Sequence, residues 1–440
     1  MQPREGDCDF TWLVSRLRSA IATFPDTRTG DNTKYLLHDI ALSAFSVFFT
    51  QSPSFLAYQK SMQQNTGNNN ARTLFGVQQI PCDNHIRALL DGVPAGLLFG
   101  IFGEVAEMLV RTNTLEQFRG FADQLLLPLD GTGYFSSKSI HCKHCLTKTH
   151  ADGSTTYQHT VILPAVVAVG RSEVIPLAPE FIRKQDGAKK QDCENAAAKR
   201  WLDREGEKYA QLGVTILGDD LYCNQPMIER IASKGLNFIL TCKPKSHPWL
   251  TEWLTVADAD VDLHQFSVTR WTGKKRLTDT YQYVNGVAIK DGKNAREVNW
   301  VQLTTTDEQG RIVYRNAFAT SHLITRENVE ALVQAGRCRW KIENENNNTL
   351  KTKGYHFEHS FGHGKENLAQ TLLTLNLLAF LFHTVLELFD RRYRLIRRTL
   401  PRRKDFFNDI RALTRYICFE NWQQLLAFML QGLELPDPGG

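Results

Sequence analysis

Residues 125–135 read LLLPLDGTGYF. A short apolar run stops at Asp130, and Gly131, Thr132 and Gly133 follow at once. An apolar stretch ended by an acid and a glycine-rich turn predicts a buried strand that delivers a carboxylate to its tip. Downstream, TYQHTVILPAVVAV (156–169), rich in Val and Thr, reads as one or two strands. CENAAAKRWLDREGEKYAQL (193–212) reads as a helix of Ala, Lys, Glu and Leu. GVTILGDDLY (213–222) is a short buried strand ending at Asp219 and Asp220. QPMIERIASKG (225–235) is a helix with Pro226 in its first turn, and NFILTCKP (237–244) is a further strand stopped by Pro244.

Strands alternating with helices predict an α/β fold with a mixed sheet covered by helices. In open α/β sheets ligand sites lie just beyond the strand ends, where Asp130 and Asp219 both fall. From about 264 to 319 the period changes to two, with NG, DG and QG pairs as turn signals, which predicts a β-rich insertion. Residues 324–351, ITRENVEALVQAGRCRWKIENENNNTLK, return to a helical pattern with Thr325 as the N-cap. Upstream of 118, KYLLHDIALSAFSVFF (34–49) and VPAGLLFGIFGEVAEML (93–109) read as helices separated by the polar loop NTGNNNAR (65–72). The resulting division is an N-terminal helical region 1–118 suited to DNA binding, a first core segment 119–250, the insertion 251–319, a second core segment 320–375, and a helical basic region 376–440.

The chain has 440 residues, 42% hydrophobic and 22% charged, too many for one ordinary core. The most apolar stretch, LLTLNLLAFLFHTVLEL (372–388), carries Asn376, His383 and Glu387 and suits a buried helix better than a membrane span. The N-terminus lacks a basic head followed by an apolar run, so no secretory signal is expected. Nine cysteines, an odd number, fit reduced thiols and a cytoplasmic protein. The net charge of +5 is concentrated in RRYRLIRRTLPRRK (391–404), which holds no acid. On a helix Arg391, Arg394 and Arg398 share a face, a stripe suited to phosphate backbones.

In 337–355, RCRWKIENENNNTLKTKGY, Arg339 and Glu343 stand one helical turn apart. Three carboxylates, two at strand ends and one on a distant helix, suit hard divalent cations that also bind phosphate oxygens. Two such ions can hold the attacking and leaving oxygens of an in-line phosphoryl displacement. LDGTGYF, TILGDDLY and RWKIENENNNTLK together resemble the DDE transposases of bacterial insertion sequences, in the branch with a β-stranded insertion before the glutamate. The resemblance covers roughly residues 120–365. It implies a ribonuclease-H-like core with α-helical flanks and Asp130, Asp219 and Glu343 as catalytic metal ligands. It also implies two Mg²⁺ ions, with Mn²⁺ an expected substitute. Arg339 becomes the family's signature arginine near DNA phosphates, and Lys351 a further DNA contact.

Two positions depart from the family pattern. Gly336 stands where the family has a tyrosine, and Lys351 is one residue later than the family's lysine. Glu345, six residues before Lys351, is therefore the alternative to Glu343, and the adjacent Asp220 is the alternative to Asp219. At 100° per residue, helix geometry favours Glu343 over Glu345 as the acid nearer Lys351. Asn346 and Asn347 are read as amides available to phosphate or sugar. The implied partner is double-stranded DNA, both element ends and target, held by a homodimer on paired ends, with no membrane involved. A structure-specific nuclease on the same core and a catalytically dead DNA-binding repressor remain the rival readings.

Three further features lie outside this scheme. Trp271, among basic residues in VTRWTGKKR, is read as a packing residue, with base stacking as the alternative. In HCKHCLTKTH (141–150), Cys142 and Cys145 form one C-x2-C pair with His141, His144, His150 and His159 nearby. A zinc site needs four ligands and the second C-x2-C is absent, so a reduced, metal-free hairpin tip is the simpler reading. His359 and His363 in HSFGHG read as a turn between helices, with contact to DNA or metal as the alternative.

Overall fold

The computed structural model describes residues 9–26, 28–29, 33–62, 69–184, 194–256 and 263–439. β1 (Leu125–Pro128) is fully buried, and the chain passes through Asp130 into β2 (Gly131–Ser137). β4 (Thr155–Ile162) pairs antiparallel with β2 on one edge. Its other edge carries β3 (Leu146–Thr149) and β7 (Glu180–Ile182). Beyond Ile162 the chain runs on as β5 (Ala165–Val166), which pairs with β6 (Ile175–Pro176). Val167 then bridges to Leu126, and Leu163 N–H donates to the Asp130 carbonyl at 3.2 Å. So β1–β2 and β4–β5 form one antiparallel ladder that bends around Asp130. On the far side of β1 lie β8 (Val214–Gly218) and β9 (Asn237–Thr241), both parallel to it. Three antiparallel strands followed by two parallel ones is the ribonuclease-H-like order. β1 and β8 are buried along their whole length, as strands covered on both faces must be.

The insertion does not stand apart from this sheet. β10 (His264–Trp271), β11 (Arg276–Ala288), β12 (Glu297–Thr306) and β13 (Ile312–Thr320) form an antiparallel meander. Phe318 of β13 pairs with Thr241 of β9, so the meander extends the core into a seven-stranded sheet. The DG and QG glycines, Gly292 and Gly310, sit at turns with positive φ. The NG pair does not. Gly286, at φ 71°, lies in a β-bulge inside β11, where the register with β12 shifts between Val284 and Val287. Asn285 explains the difference: its side chain donates to Ile324 O and accepts from Ile324 N–H, holding the bulge against the next segment.

Two helices flank the parallel strands. Trp201 of Glu194–Ala210 is fully buried and donates to Ala178 O at 2.9 Å. Gln225–Ser233 begins at Asn224, whose side chain accepts from Met227 N–H, with Pro226 in the first turn. The terminal segments pack on each other. Phe10 stacks on Trp422 with ring centroids 5.1 Å apart, and the Asn70 amide donates to Thr414 O and Ile417 O. Of the polar loop read at 65–72, residues 65–68 lie outside the described residues and Ala71–Phe75 wind as a helical turn. Helix Leu368–Phe389, long and apolar enough to cross a bilayer by length and composition, has 83% of its most apolar window buried inside the protein.

The 324–352 segment is not one regular helix. It starts at Val329 rather than at a Thr325 cap, because the Asn328 side chain turns back to accept from Thr325 N–H. Val329–Arg337 is α-helical, Ile342–Asn347 widens to a π-turn, and Asn348–Thr352 closes the helix. Gly336 lies against the sheet. A Cβ there would meet Ile239 Cγ2 and Phe318 Cε1 at 2.9 Å. That close approach is why this position has no room for a tyrosine.

Candidate active site

Asp130 is the centre of the site. It leaves β1 partly buried, and its Oδ2 accepts a hydrogen bond from Asn347 Nδ2 at 3.2 Å. β8, one strand over, leads directly into Asp219, whose Oδ1 accepts from Leu221 N–H at 2.8 Å. Glu343 comes from the π-turn and pairs with Arg339 Nη1 at 2.7 Å. Burial and the neighbouring carboxylates of Glu194 and Glu343 push the Asp130 carboxyl up to about 7, with Asp219 adding to them and Arg339 opposing. Glu343 and Asp219, the other two acids named from sequence, are thus both electrostatic neighbours of Asp130. Among the described residues the three do not close into a cluster with every ligand atom within 4.8 Å of the others.

The two alternative acids have other surroundings. Asp220 accepts from Lys243 N–H at 2.6 Å and from the Ser246 hydroxyl, and stands 3.6 Å from His247 Nε2. Its carboxylate ties the β8 loop to the loop after β9. Glu345 faces a different space, a cleft described below.

Glu194 carries no signal that the sequence reading used, and Asn347 is read from sequence for a different partner. Glu194, the first residue of its helix, accepts from Gly131 N–H at 3.0 Å and from the Tyr222 hydroxyl at 2.7 Å. It is the strongest charge acting on Asp130. Asn347 is 6% exposed and Asn346 1% exposed, and Asn346 Nδ2 donates to Asn347 Oδ1 at 3.1 Å. These amides are spent inside the protein, Asn347 on Asp130 and Asn346 on Asn347, and are not held out to phosphate or sugar. The π-turn brings them inward, so the regular 100° spacing does not describe this segment.

The donor set fits hard divalent cations. Every candidate ligand is a carboxylate, and an acid that carries its proton near neutrality because other acids crowd it is one whose ionised form a cation would stabilise.

A cleft of about 950 Å³ opens beside the π-turn. Glu345, Lys351 and Lys353 form one wall, and Arg402, Lys404 and Arg411 of the C-terminal region another. Lys351 also pairs with Glu358 at 2.9 Å. Of the sequence-predicted stripe, Arg391 and Arg398 are exposed and Arg394 half-buried on helix Arg391–Thr399, and none of the three lines this cleft. Its arginines come instead from positions 397, 402 and 403 of the same stretch and from Arg411. Trp271, the last residue of β10, is 65% exposed, so it does not pack on the sheet as read from sequence.

Residues 178–381 match the family described as Transposase DDE domain. The matched range holds Asp219, Glu343, the insertion and the whole π-turn, and begins after Asp130. No curated protein matches the chain.

Proposed function

We propose, from the premise that this chain carries a transposase DDE domain, that it is the transposase of an insertion sequence. It acts on double-stranded DNA, cutting at the element's ends and joining them to target DNA. The observation that supports this reading is the crowding of Asp219, Glu343 and Glu194 around a partly buried Asp130 at adjacent strand ends.

Asp130, Asp219 and Glu343 are the residues that would hold divalent ions, Mg²⁺ or Mn²⁺. Such ions supply Lewis-acid stabilisation of the attacking and leaving oxygens in phosphoryl transfer. The chain's own part is positional. Asn347 holds one Asp130 oxygen, while Glu194 holds the Gly131 amide and the Tyr222 hydroxyl, so the strand tips on both sides of the site are fixed. Arg339 pairs with Glu343 and lies 5.4 Å over the Trp340 ring, and a bound cation would compete with it for that carboxylate. In this reading the duplex lies along the basic cleft that starts two residues beyond Glu343, with Lys351, Arg402 and Lys404 at its phosphates. Exposed Trp271 is placed to stack on an unpaired base. A homodimer on paired ends and a cytoplasmic location complete the proposal.

The test uses duplexes carrying the short inverted repeats that this reading expects on either side of the gene. With Mg²⁺, the wild-type protein should nick at the repeat end and join the freed 3′-hydroxyl to a target plasmid. Asp130→Ala should abolish both steps and leave duplex affinity within about twofold, since the acid supplies no phosphate contact. Undiminished metal-dependent nicking by that variant removes the site, and nicking without joining favours a nuclease.

A further inference from the structure

Two loops far apart in sequence meet beside β4. Cys142 and Cys145 lie between β2 and β3, His159 is on β4, and His363 lies in the turn before helix Leu368–Phe389. Their ligand atoms all fall within 4.8 Å of one another. Cys142 Sγ is 3.9 Å from Cys145 Sγ and 3.5 Å from His159 Nε2. Cys145 Sγ is 3.4 Å from His159 Nε2 and 3.5 Å from His363 Nε2. Bond lengths of about 2.3 Å to sulfur and about 2.0–2.1 Å to nitrogen, at tetrahedral angles, require about 3.8 Å between sulfurs and about 3.6 Å between sulfur and nitrogen. The observed spacings match that shell. They are too long for a disulfide, which needs about 2.05 Å between sulfurs.

Ordinary hydrogen bonding accounts for the cluster poorly. Cys145 Sγ faces three side-chain atoms and the Cys142 N–H at once, and a thiol has one proton to give. The surroundings are closed: Cys145 and His159 are buried, Tyr134 stacks on His159 at 5.5 Å, and Phe135 lies 4.2 Å from His363.

We propose that Cys142, Cys145, His159 and His363 bind one structural Zn²⁺. With four protein ligands the site is closed, so the ion has no position for substrate. Loading releases the two thiol protons to solvent as the thiolates bind. The ion pins the chain that follows Asp130 to the chain that follows Glu343, and the Lys143–Glu366 ion pair lies across the same junction. The metal-free hairpin tip read from sequence rested on the missing second C-x2-C. The second pair of ligands is instead two histidines, one of them supplied by the His359–His363 turn.

A second group, Cys223, Cys242 and His247, offers only three ligands and serves as the control. Protein purified without added metal should retain about one zinc per chain by elemental mass spectrometry, the count for one closed site. Cys142→Ser with Cys145→Ser should lose it, whereas Cys223→Ser with Cys242→Ser, and Asp130→Ala, should keep it. Replacing zinc by Co²⁺ in the wild-type protein should give tetrahedral d–d bands and a thiolate-to-cobalt charge-transfer band, a readout that needs no variant to fold. Zinc-free protein with no such cobalt spectrum overturns the assignment, as does zinc that departs with Cys223 and Cys242. Because Asp130→Ala removes the proposed catalytic acid but no zinc ligand, failure of the zinc site and failure of the transposase reading give different results.

Discussion

Asp130 ordinarily would ionise near 3.8, and burial among Glu194, Glu343 and Asp219 moves it to about 7. The fold therefore favours the protonated acid. Its contribution is fully present below 3.8 and is lost as pH rises through about 7, where the carboxylate is forced to ionise among like charges. Asp130→Asn should accordingly raise the melting temperature of chelator-treated protein by a few degrees at pH 8 and by almost nothing at pH 4. Thermal melts at both pH values check this, and an equal gain at both would show that charge crowding is not the cause. The same proton competes with metal. Apparent Mg²⁺ affinity in the cleavage assay should fall about tenfold per pH unit below about 7. A Mg²⁺ requirement flat from pH 5.5 to 8 would contradict it. Asp219 and Glu343 could be singled out from sequence because an acid after a buried β-branched run and an acid after RWKI are local patterns. Glu194 and Asn347 were not legible. Glu194 resembles any helix-opening acid, and Asn347 passes for part of a solvated asparagine run until the helix widens and turns it inward.

The element that matters most is the interrupted helix from Val329 to Thr352, because its two halves answer to different constraints. The first half must lie close to the sheet, and Gly336 permits this by presenting no Cβ to Ile239 and Phe318. The second half must turn Glu343 and Asn347 toward Asp130, and the π-turn changes the facing of the side chains without ending the helix. Alanine is the better helix former by about 0.5–1 kcal/mol, but the new methyl would stand 2.9 Å from two buried side chains. Overpacking of that kind costs about 1–3 kcal/mol. Gly336→Ala should therefore destabilise by about 1 kcal/mol net, and Gly336→Tyr by more, in urea denaturation. A stabilised Gly336→Ala protein would mean the helix is free to move off the sheet. The strands of the core and insertion were readable because periods of one-sided and two-sided burial differ in sequence. The π-turn and the bulge at Gly286 were not, since each adds or removes a fraction of a turn that composition does not encode.

Across the whole molecule, charge and topology meet in one cleft. The basic stretch 391–404 outweighs the net charge of +5, yet only part of it faces the site. Arg397 is buried and donates to Pro401 O at 3.1 Å, so it shapes the end of its helix. Arg402 and Lys404 are exposed on the cleft wall, across from Lys351 and Lys353 of the segment that follows Glu343. The C-terminal helices can hold that wall in place because they are locked to the N-terminal ones by Asn70 and by the Phe10–Trp422 stack. A duplex gripped there should release counterions from each phosphate met, and affinity should fall with salt at about 0.9 in log–log slope per contact. Arg402→Ala with Lys404→Ala should make that slope shallower by about 2 and weaken binding similarly on any sequence. Neither residue touches Asp130, so once DNA is saturating the variant should cleave at close to the wild-type rate. Anisotropy titrations from 50 to 300 mM salt measure the slope directly. A slope unchanged by the double substitution would place the DNA path elsewhere, with the stripe of Arg391, Arg394 and Arg398 the first surface to examine by the same measurement.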